Sequence, residues 1–533
     1  EGAGNEALDN HGALYGAVDL GSGSNSLVNH DGAVLHTGAG IELGAGNTLT
    51  NAGRLSPGGD GVVASTAIGG NLLQTGAGAL SIDLDTANMT ADYLGVSGDA
   101  SLDGLLGVRM LDIGYVMPGS HSLVLLTAGG GLLDQGLALQ TAASAVVSYE
   151  LEFDAEEGLV LHYLVDFSAP EGLSENQGAL GDYVNRLQAA GGSTAFAPLA
   201  AQLFTLPDGE ALGEFYERLS PAPHFGPGNA TLAANQQFAN GLLSCRQHGG
   251  LYRFTGETDC SWLRLAGRRL TQDRVGDAPG FEEDVINVAG GAQEEVSENL
   301  FVGAALSYET GRLKSDGLAR TDLDRFQGGL MVKQQGGNWL GAAGLTVGFG
   351  QFDAERFVEQ PDPGVVATSR QDMRFVALRG RLAYTVERDA WYFKPMLDAN
   401  VTWADFDGFR ERGAGGANLV VASRSETYTS VNPAVELGVE VQADEAGFTR
   451  LYGRLGAIHY LSGTPEITAT LEGAPAGVAP FRTTGELDET YLDIALGVDL
   501  VRGRDFGLKL EYAGQLSGDT EQHGVQLKFA RRF

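Results

Sequence analysis

Two hydrophobic periods divide this 533-residue chain. From about Ser261 to Phe533, apolar and polar residues alternate one by one, the period of a strand whose two faces meet different surroundings. In TYLDIALGVDLVRG, Leu492, Ile494, Leu496, Val498 and Leu500 share one parity, against Tyr491, Asp493, Ala495, Gly497 and Asp499. Twelve such segments are predicted, beginning near Ser261, Phe281, Asn299, Ala319, Asn338, Val365, Trp391, Ala417, Thr449, Pro480, Asp505 and Thr520. Residues 1 to about 167 differ: short apolar pieces recur between Asn/Gly turns. NSLVNHDGAVLH overlays NTLTNAGRLS with Asn29 on Asn51, a spacing of 22. A degenerate repeat of that size, with a strand and a turn in each copy, predicts the stacked rungs of a solenoid. Residues 168–257 show helical spacing instead. SENQGALGDYVNRLQAAGG opens with a capping-box-like Ser174 and Gln177. In PDGEALGEFYERLSPAP, Leu212, Phe215 and Leu219 share a face, with Asp208 as cap. A further helix is predicted over about 230–247. Its polar residues are uncharged apart from Arg246, including Asn235, Gln236, Gln237 and Asn240, which suits polar walls better than bulk water.

An even set of antiparallel strands with one apolar face has two homes. In a soluble sandwich or barrel that face points inward; in an outer-membrane barrel it points at lipid, and the polar face lines a wet lumen. Three features favour the membrane. The segments exceed the usual strand length of about five or six residues. Their polar parity is rich in charge and glycine, as in RFVALRGRLAYTVERD. Aromatics gather near segment ends: Tyr308, Trp339, Tyr384, Trp391, Tyr392, Trp403, Tyr452, Tyr460 and Tyr491, as in interfacial girdles. A closed barrel is required there, because an open edge would leave backbone groups unpaired in hydrocarbon.

Charge and chemistry narrow the function. The net charge of −34 repels phosphate backbones and argues against a nucleic-acid partner. The only two cysteines, Cys245 and Cys260, are read as one disulfide closing a short loop; two residues are too few for a structural zinc site. The opening EGAGNEALDN lacks the basic and apolar regions of a signal peptide, and no run of about twenty apolar residues predicts a membrane helix. No G-x-S-x-G elbow and no H-x-x-x-H pair occurs. No catalytic residue, metal ligand or cofactor is therefore expected within this chain.

With these features in place, the whole chain resembles a type V autotransporter of Gram-negative bacteria. LTNAGRLSPGGDGVVASTAIGGNLLQTGAGALSIDLD resembles the C-terminal, autochaperone end of a β-helical passenger; LGEFYERLSP with the small-residue helix resembles the linker; CSWLRLAG resembles the first barrel strand. The resemblance implies an all-β fold in three parts. Residues 1–167 would be a right-handed parallel β-helix, 168–257 a helical linker whose last helix plugs the lumen, and 258–533 a 12-stranded outer-membrane barrel. The assembly signal is matched by HGVQLKF, with Gly524, Leu527 and Phe529, and Phe533 as the terminal aromatic. Arg531 departs from it, on the lipid parity. Cys245 and Cys260 would staple the plug to the first strand. Family members that cut themselves do so at an asparagine of this helix; among Asn229, Asn235 and Asn240 no cleavage site is assigned. The implied function is secretion or display of the N-terminal passenger, of unknown ligand and adhesin-like in character. The partners would be outer-membrane lipid or lipopolysaccharide, the barrel-assembly machinery and periplasmic chaperones, and the barrel would be a monomer. An esterase or protease passenger upstream of Glu1 is the alternative.

Overall fold

The structure is a computed structural model that describes residues 2, 4–245, 256–358, 364–444, 447–502 and 506–532. The chain divides into two compact units: residues up to Leu173 with 177–216 and the short segment 473–479, and the remainder.

The first unit is built on parallel rungs. One sheet stacks Ala7–Asn10, Ser26–Asn29, Thr48–Asn51, Asn71–Gln74, Ala100–Leu102 and Leu132–Asp134 in that order. Asn29 pairs in register with Asn51, and Asn51 with Gln74. A second sheet carries the alternate strands of the same rungs, including Val34–Glu42, Arg54–Pro57, Ala79–Asp85 and Leu105–Leu111. Like residues therefore stack. Leu27, Leu49 and Leu72 form one column; Leu35, Leu55, Leu80 and Leu106 form another; all are buried. Each such leucine contributes roughly 1.5–3 kcal/mol over an exposed one.

Beside the first column runs a polar one. Asn10 Nδ2 donates to Asn29 Oδ1 (2.8 Å), Asn29 Nδ2 to Asn51 Oδ1 (2.8 Å), Asn51 Nδ2 to Gln74 Oε1 (3.1 Å), and Gln74 Nε2 to the Asp103 carbonyl (2.8 Å). Each amide also donates to a backbone carbonyl of the next rung, as Asn29 does to Arg54. Buried amides demand such satisfaction.

The rungs do not continue to residue 167. Gly119–Ala128, Val147–Asp154 and Gly158–Val165 are antiparallel, and Gly158–Val165 is the middle strand of the three. Alternation in SYELEF and LVLHYLV reads the same in a rung and in a hairpin, so the pattern does not separate them. Three helices follow: α1 (Glu175–Ala189), α2 (Ala197–Phe204) and α3 (Gly209–Leu219). Asp208 caps α3 by accepting from Ala211 N at 2.9 Å, and Leu212, Phe215 and Leu219 are buried as their spacing predicts. The apolar run APLAAQLF forms α2, for which the sequence supplied no expectation.

The second unit is a closed barrel of twelve strands: β1 (Cys260–Gln272), β2 (Phe281–Ser297), β3 (Leu300–Ser315), β4 (Ala319–Gly336), β5 (Trp339–Val358), β6 (Val365–Tyr384), β7 (Trp391–Phe406), β8 (Arg424–Asp444), β9 (Gly447–Ser462), β10 (Thr490–Arg502), β11 (Phe506–Leu516) and β12 (Thr520–Arg532). Every neighbour is antiparallel, and β12 closes on β1 from Gln272↔Thr520 to Cys260↔Arg532. Two predicted starts are corrected. The eighth and tenth strands begin at Arg424 and Thr490, not near Ala417 and Pro480. The alternating pieces Leu419–Val421 and Phe481–Thr484 belong instead to a four-stranded sheet with Phe409–Arg410 and Glu466–Leu471, on the rim that bears the longer connections.

The barrel is inverted relative to a soluble protein. Leu265, Ile286, Leu306, Leu330, Leu378, Leu397, Leu455, Leu496 and Val525 all face outward and are exposed. Arg264, Arg268, Glu283, Glu309, Arg325 and Lys333 face inward and are buried. Towards the long-loop rim the outer face turns charged. Arg269, Asp284, Arg312, Asp322, Asp353 and Arg370 are successive cross-strand partners from β1 to β6. Of the nine aromatics expected in girdles, Tyr308, Trp339, Trp391 and Trp403 are outward and exposed. Tyr392, Tyr452, Tyr460 and Tyr491 are not girdle residues. They fall on the lumen parity, and Tyr392 and Tyr452 donate to Glu436 and Glu511.

Candidate functional site: a plugged lumen

Helix α4 (Gly226–Leu242) occupies the lumen. It starts four residues before the predicted Ala230, because Pro227 in its first turn favours initiation there rather than breaking the helix. It ends at Leu242, earlier than the expected 247, and residues 246 and 247 lie outside the described set. The helix leans on the β2–β5 wall through small residues, Ala230, Ala233 and Ala234, and through Phe238 and Leu242. The wall is cut to receive it. A Cβ on Gly329 would lie 2.9 Å from both Leu242 and Phe238.

Its polar residues meet the lumen wall. Asn229 Nδ2 donates to Gln272 (3.1 Å) at the long-loop end, Asn235 Nδ2 to Thr402 (3.4 Å), and Gln236 Nε2 to Tyr460 (3.3 Å). Asn240 Oδ1 accepts from Arg379 (2.9 Å) and Arg381 (3.2 Å), and Gln237 contributes its main-chain carbonyl to Arg264 Nη1 (2.9 Å). Cys245 and Cys260 are joined as a disulfide, with Cα atoms 6.4 Å apart, where the helical segment ends and β1 begins.

The wall itself is held by charge pairs that pattern reading placed only as a charged parity. Arg268 and Arg325 each meet both Glu283 and Glu309, at 2.6–3.1 Å, in a fully buried square. Arg379 and Arg381 share Asp398. Lys333 meets Glu257 at 2.9 Å. Partnering of this kind is required, since an unpaired charge out of water is strongly unfavourable. At the long-loop rim, Glu411 sits with Arg356 and His224. Burial works against its charge, but the Arg356 guanidinium prevails and holds the carboxyl down at about 2. The helix fills the lumen: the cavities left beside its C-terminal end are about 70 and 40 Å³. The arrangement is a pore with its own chain as stopper, and among the described residues no group of three or more His, Cys, Asp or Glu is placed to hold a metal.

The predicted assembly-signal residues lie on β12. Leu527 pairs with Leu265 and Leu510, and Phe529 with Leu263 and Leu508, so both extend the lipid face. Gly524 faces the lumen near Gln237. Arg531 is exposed, beside Ser261 and Phe506 at the strand's end. Phe533 lies outside the described residues.

Residues 261–513 match the family model of the autotransporter beta-domain. The esterase EstA of Pseudomonas aeruginosa and that of Pseudomonas putida are each 21% identical over 280 residues, 50% of this chain and 42% of theirs. The chain thus spans less than half the length of these curated relatives. Similar solved structures include the translocator domain of NalP from Neisseria meningitidis, at 14% identity and TM-score 0.47 over 59% of this chain and 100% of that one. The Bordetella BrkA beta domain (16%, TM-score 0.39, 52% and 100%) and the AIDA-I transport unit of Escherichia coli (14%, 0.37, 58% and 99%) are also similar. Residues 261–513 of the chain thus carry an autotransporter beta-domain.

Proposed function

We propose that the barrel carries the segment before α4 outward and displays it, and that residues 1 to about 167 are the C-terminal end of a β-helical passenger. The observation that supports this is the course of α4. It enters the lumen at the long-loop end and finishes beside Cys260, so the chain preceding it leaves through the rim opposite the start of β1. A chain drawn through as a hairpin reaches this end state when its last exported residues fold into the plug. Rungs stacking outside, each templated by the one before, supply direction where no nucleotide is present. The long-loop rim is the extracellular one in this reading. The barrel-assembly machinery and periplasmic chaperones deliver the monomeric barrel, which sits among outer-membrane lipid and lipopolysaccharide. Protease added to intact cells that express the full chain should remove the passenger and spare the barrel. A passenger that is cut only after cell lysis would overturn the reading.

A second reading, an enzymatic passenger head in a longer precursor, is favoured by the likeness to EstA alone. Hydrolysis of a chromogenic short-chain ester by intact cells expressing that precursor tests it, and no activity above the empty-vector strain removes it.

A further inference from the structure

Arg264 on β1 and Lys528 on β12 are direct cross-strand partners at the seam where the barrel closes, and Lys528 in turn pairs with Lys509 on β11. Like charges set opposite each other weaken a strand pair. Lys509 has Glu511 beside it. Among the described residues, neither Arg264 nor Lys528 has a carboxylate at ion-pair distance, although both are buried. Their partners are neutral groups. Arg264 donates to the Gln237 carbonyl at 2.9 Å and to Asn287 at 3.1 Å. Lys528 donates to the Ser244 carbonyl at 3.2 Å and to its hydroxyl, and lies 4.6 Å from the centre of the Trp262 ring.

Ser244 lies just past the end of α4, and Gln237 lies in its penultimate turn. A helix leaves its last carbonyls unpaired and ends in about half a negative charge. We propose that Arg264 and Lys528 are positioning residues that fix the depth of the plug by holding this carbonyl end. Gly241 shows how closely they are fitted. It has ordinary helical backbone, where glycine is disfavoured, yet a Cβ there would lie 2.6 Å from Arg264 Nη1. The glycine is a notch that lets the guanidinium reach the helix. An extended chain sliding through the lumen presents N–H and C=O groups in equal measure and gives the two cations no concentrated negative end. The helix terminus does, so motion stops where it meets them. Its arrival also relieves the like-charge contact across the closing seam.

The test is made on purified full chains in planar bilayers, with the disulfide reduced so that the covalent tether does not mask the effect. The Arg264→Met/Lys528→Met variant should populate the large-conductance, unplugged state about tenfold more than the parent, the shift that loss of even one charge-assisted hydrogen bond supports. Gly241→Ala should do likewise with every charge retained. Lys528→Arg should stay closed, as should the outward-facing Arg269→Met. Heat-shifted gel mobility certifies that each barrel is folded. Folded variants that stay as closed as the parent would overturn the proposal. The inference rests on the display reading only in taking α4 as the segment where export ends, and conductance is read independently of the protease assay on cells.

Discussion

Asn29 donates its side-chain amide to Asn51 at 2.8 Å, 22 residues further along, and both side chains are sealed from solvent. Asn51 is thus an acceptor for one rung and a donor to the next. Asn51→Ala would leave Gln74 Oε1 without its donor and Asn29 without its acceptor. The expected loss is about 2–3 kcal/mol, the cost of stranding buried polar groups. Urea unfolding of the full chain in detergent, followed by circular dichroism, measures it. A change within about 0.5 kcal/mol, the level of a surface substitution, would show that the ladder carries no stability.

Asp92 makes the rung-bearing unit sensitive to pH. Its side chain is buried beside Asp83, and burial, reinforced by that neighbour's charge, pushes its carboxyl up to about 7 from the ordinary 3.8. Backbone N–H groups of Ala64 (2.7 Å) and Asp83 (2.8 Å) oppose the rise and do not cancel it. Between those values the folded state keeps a proton that the unfolded chain has released. Stability should therefore be highest near pH 4 and fall as pH rises towards 7, levelling above it. Asp92→Asn should flatten the slope. The check is the urea midpoint measured across that range, and a parent slope that survives in the variant refutes the assignment.

The Cys245–Cys260 link closes a loop with a sequence separation of 15. Chain entropy gives such a loop about 3 kcal/mol. Alkylation under denaturing conditions should add two labels after reduction and none before. Labelling without reductant would eliminate the link. Cys260→Ser should lower the temperature at which the barrel loses its heat-shifted gel mobility.

Deletion of Phe533 should reduce the amount of barrel recovered in outer-membrane fractions while the passenger's urea midpoint stays unchanged. Equal recovery of the deleted and parent chains, measured by immunoblot, would remove Phe533 from the assembly signal.

How far the sequence could be read followed from what each pattern encodes. A period of two reports which face meets lipid, so the inverted barrel and ten of its twelve strand starts were legible to within about two residues. It cannot report what a short strand pairs with: Leu419–Val421 and Phe481–Thr484 alternate like barrel strands yet join the rim sheet, and the hairpin at 147–165 alternates as a rung would. Tyr392 and Tyr452 have the residue type of girdle positions, but their parity places them in the lumen. The Asn29–Asn51 overlay found the polar ladder's spacing, since identical rungs put identical residues in contact. Arg264 and Lys528 lie 264 residues apart in sequence, and no local pattern joins them. Only closure of β12 on β1 brings them opposite each other.

The charged row from Arg269 to Arg370 sets how deep the barrel floats. Sinking by one strand step would draw up to six formal charges into hydrocarbon. Each lipid-facing Arg or Lys costs roughly 2–4 kcal/mol at the bilayer midplane and less near the edge, with Asp and Glu less again. The row spans β1 to β6, and outward charges continue on the other half with Asp405 on β7 and Glu521 on β12, so the barrel is held around its circumference. A membrane of different thickness must therefore adapt to the protein, by stretching or compressing its acyl chains, because the barrel cannot slide along its axis without drawing charge into hydrocarbon.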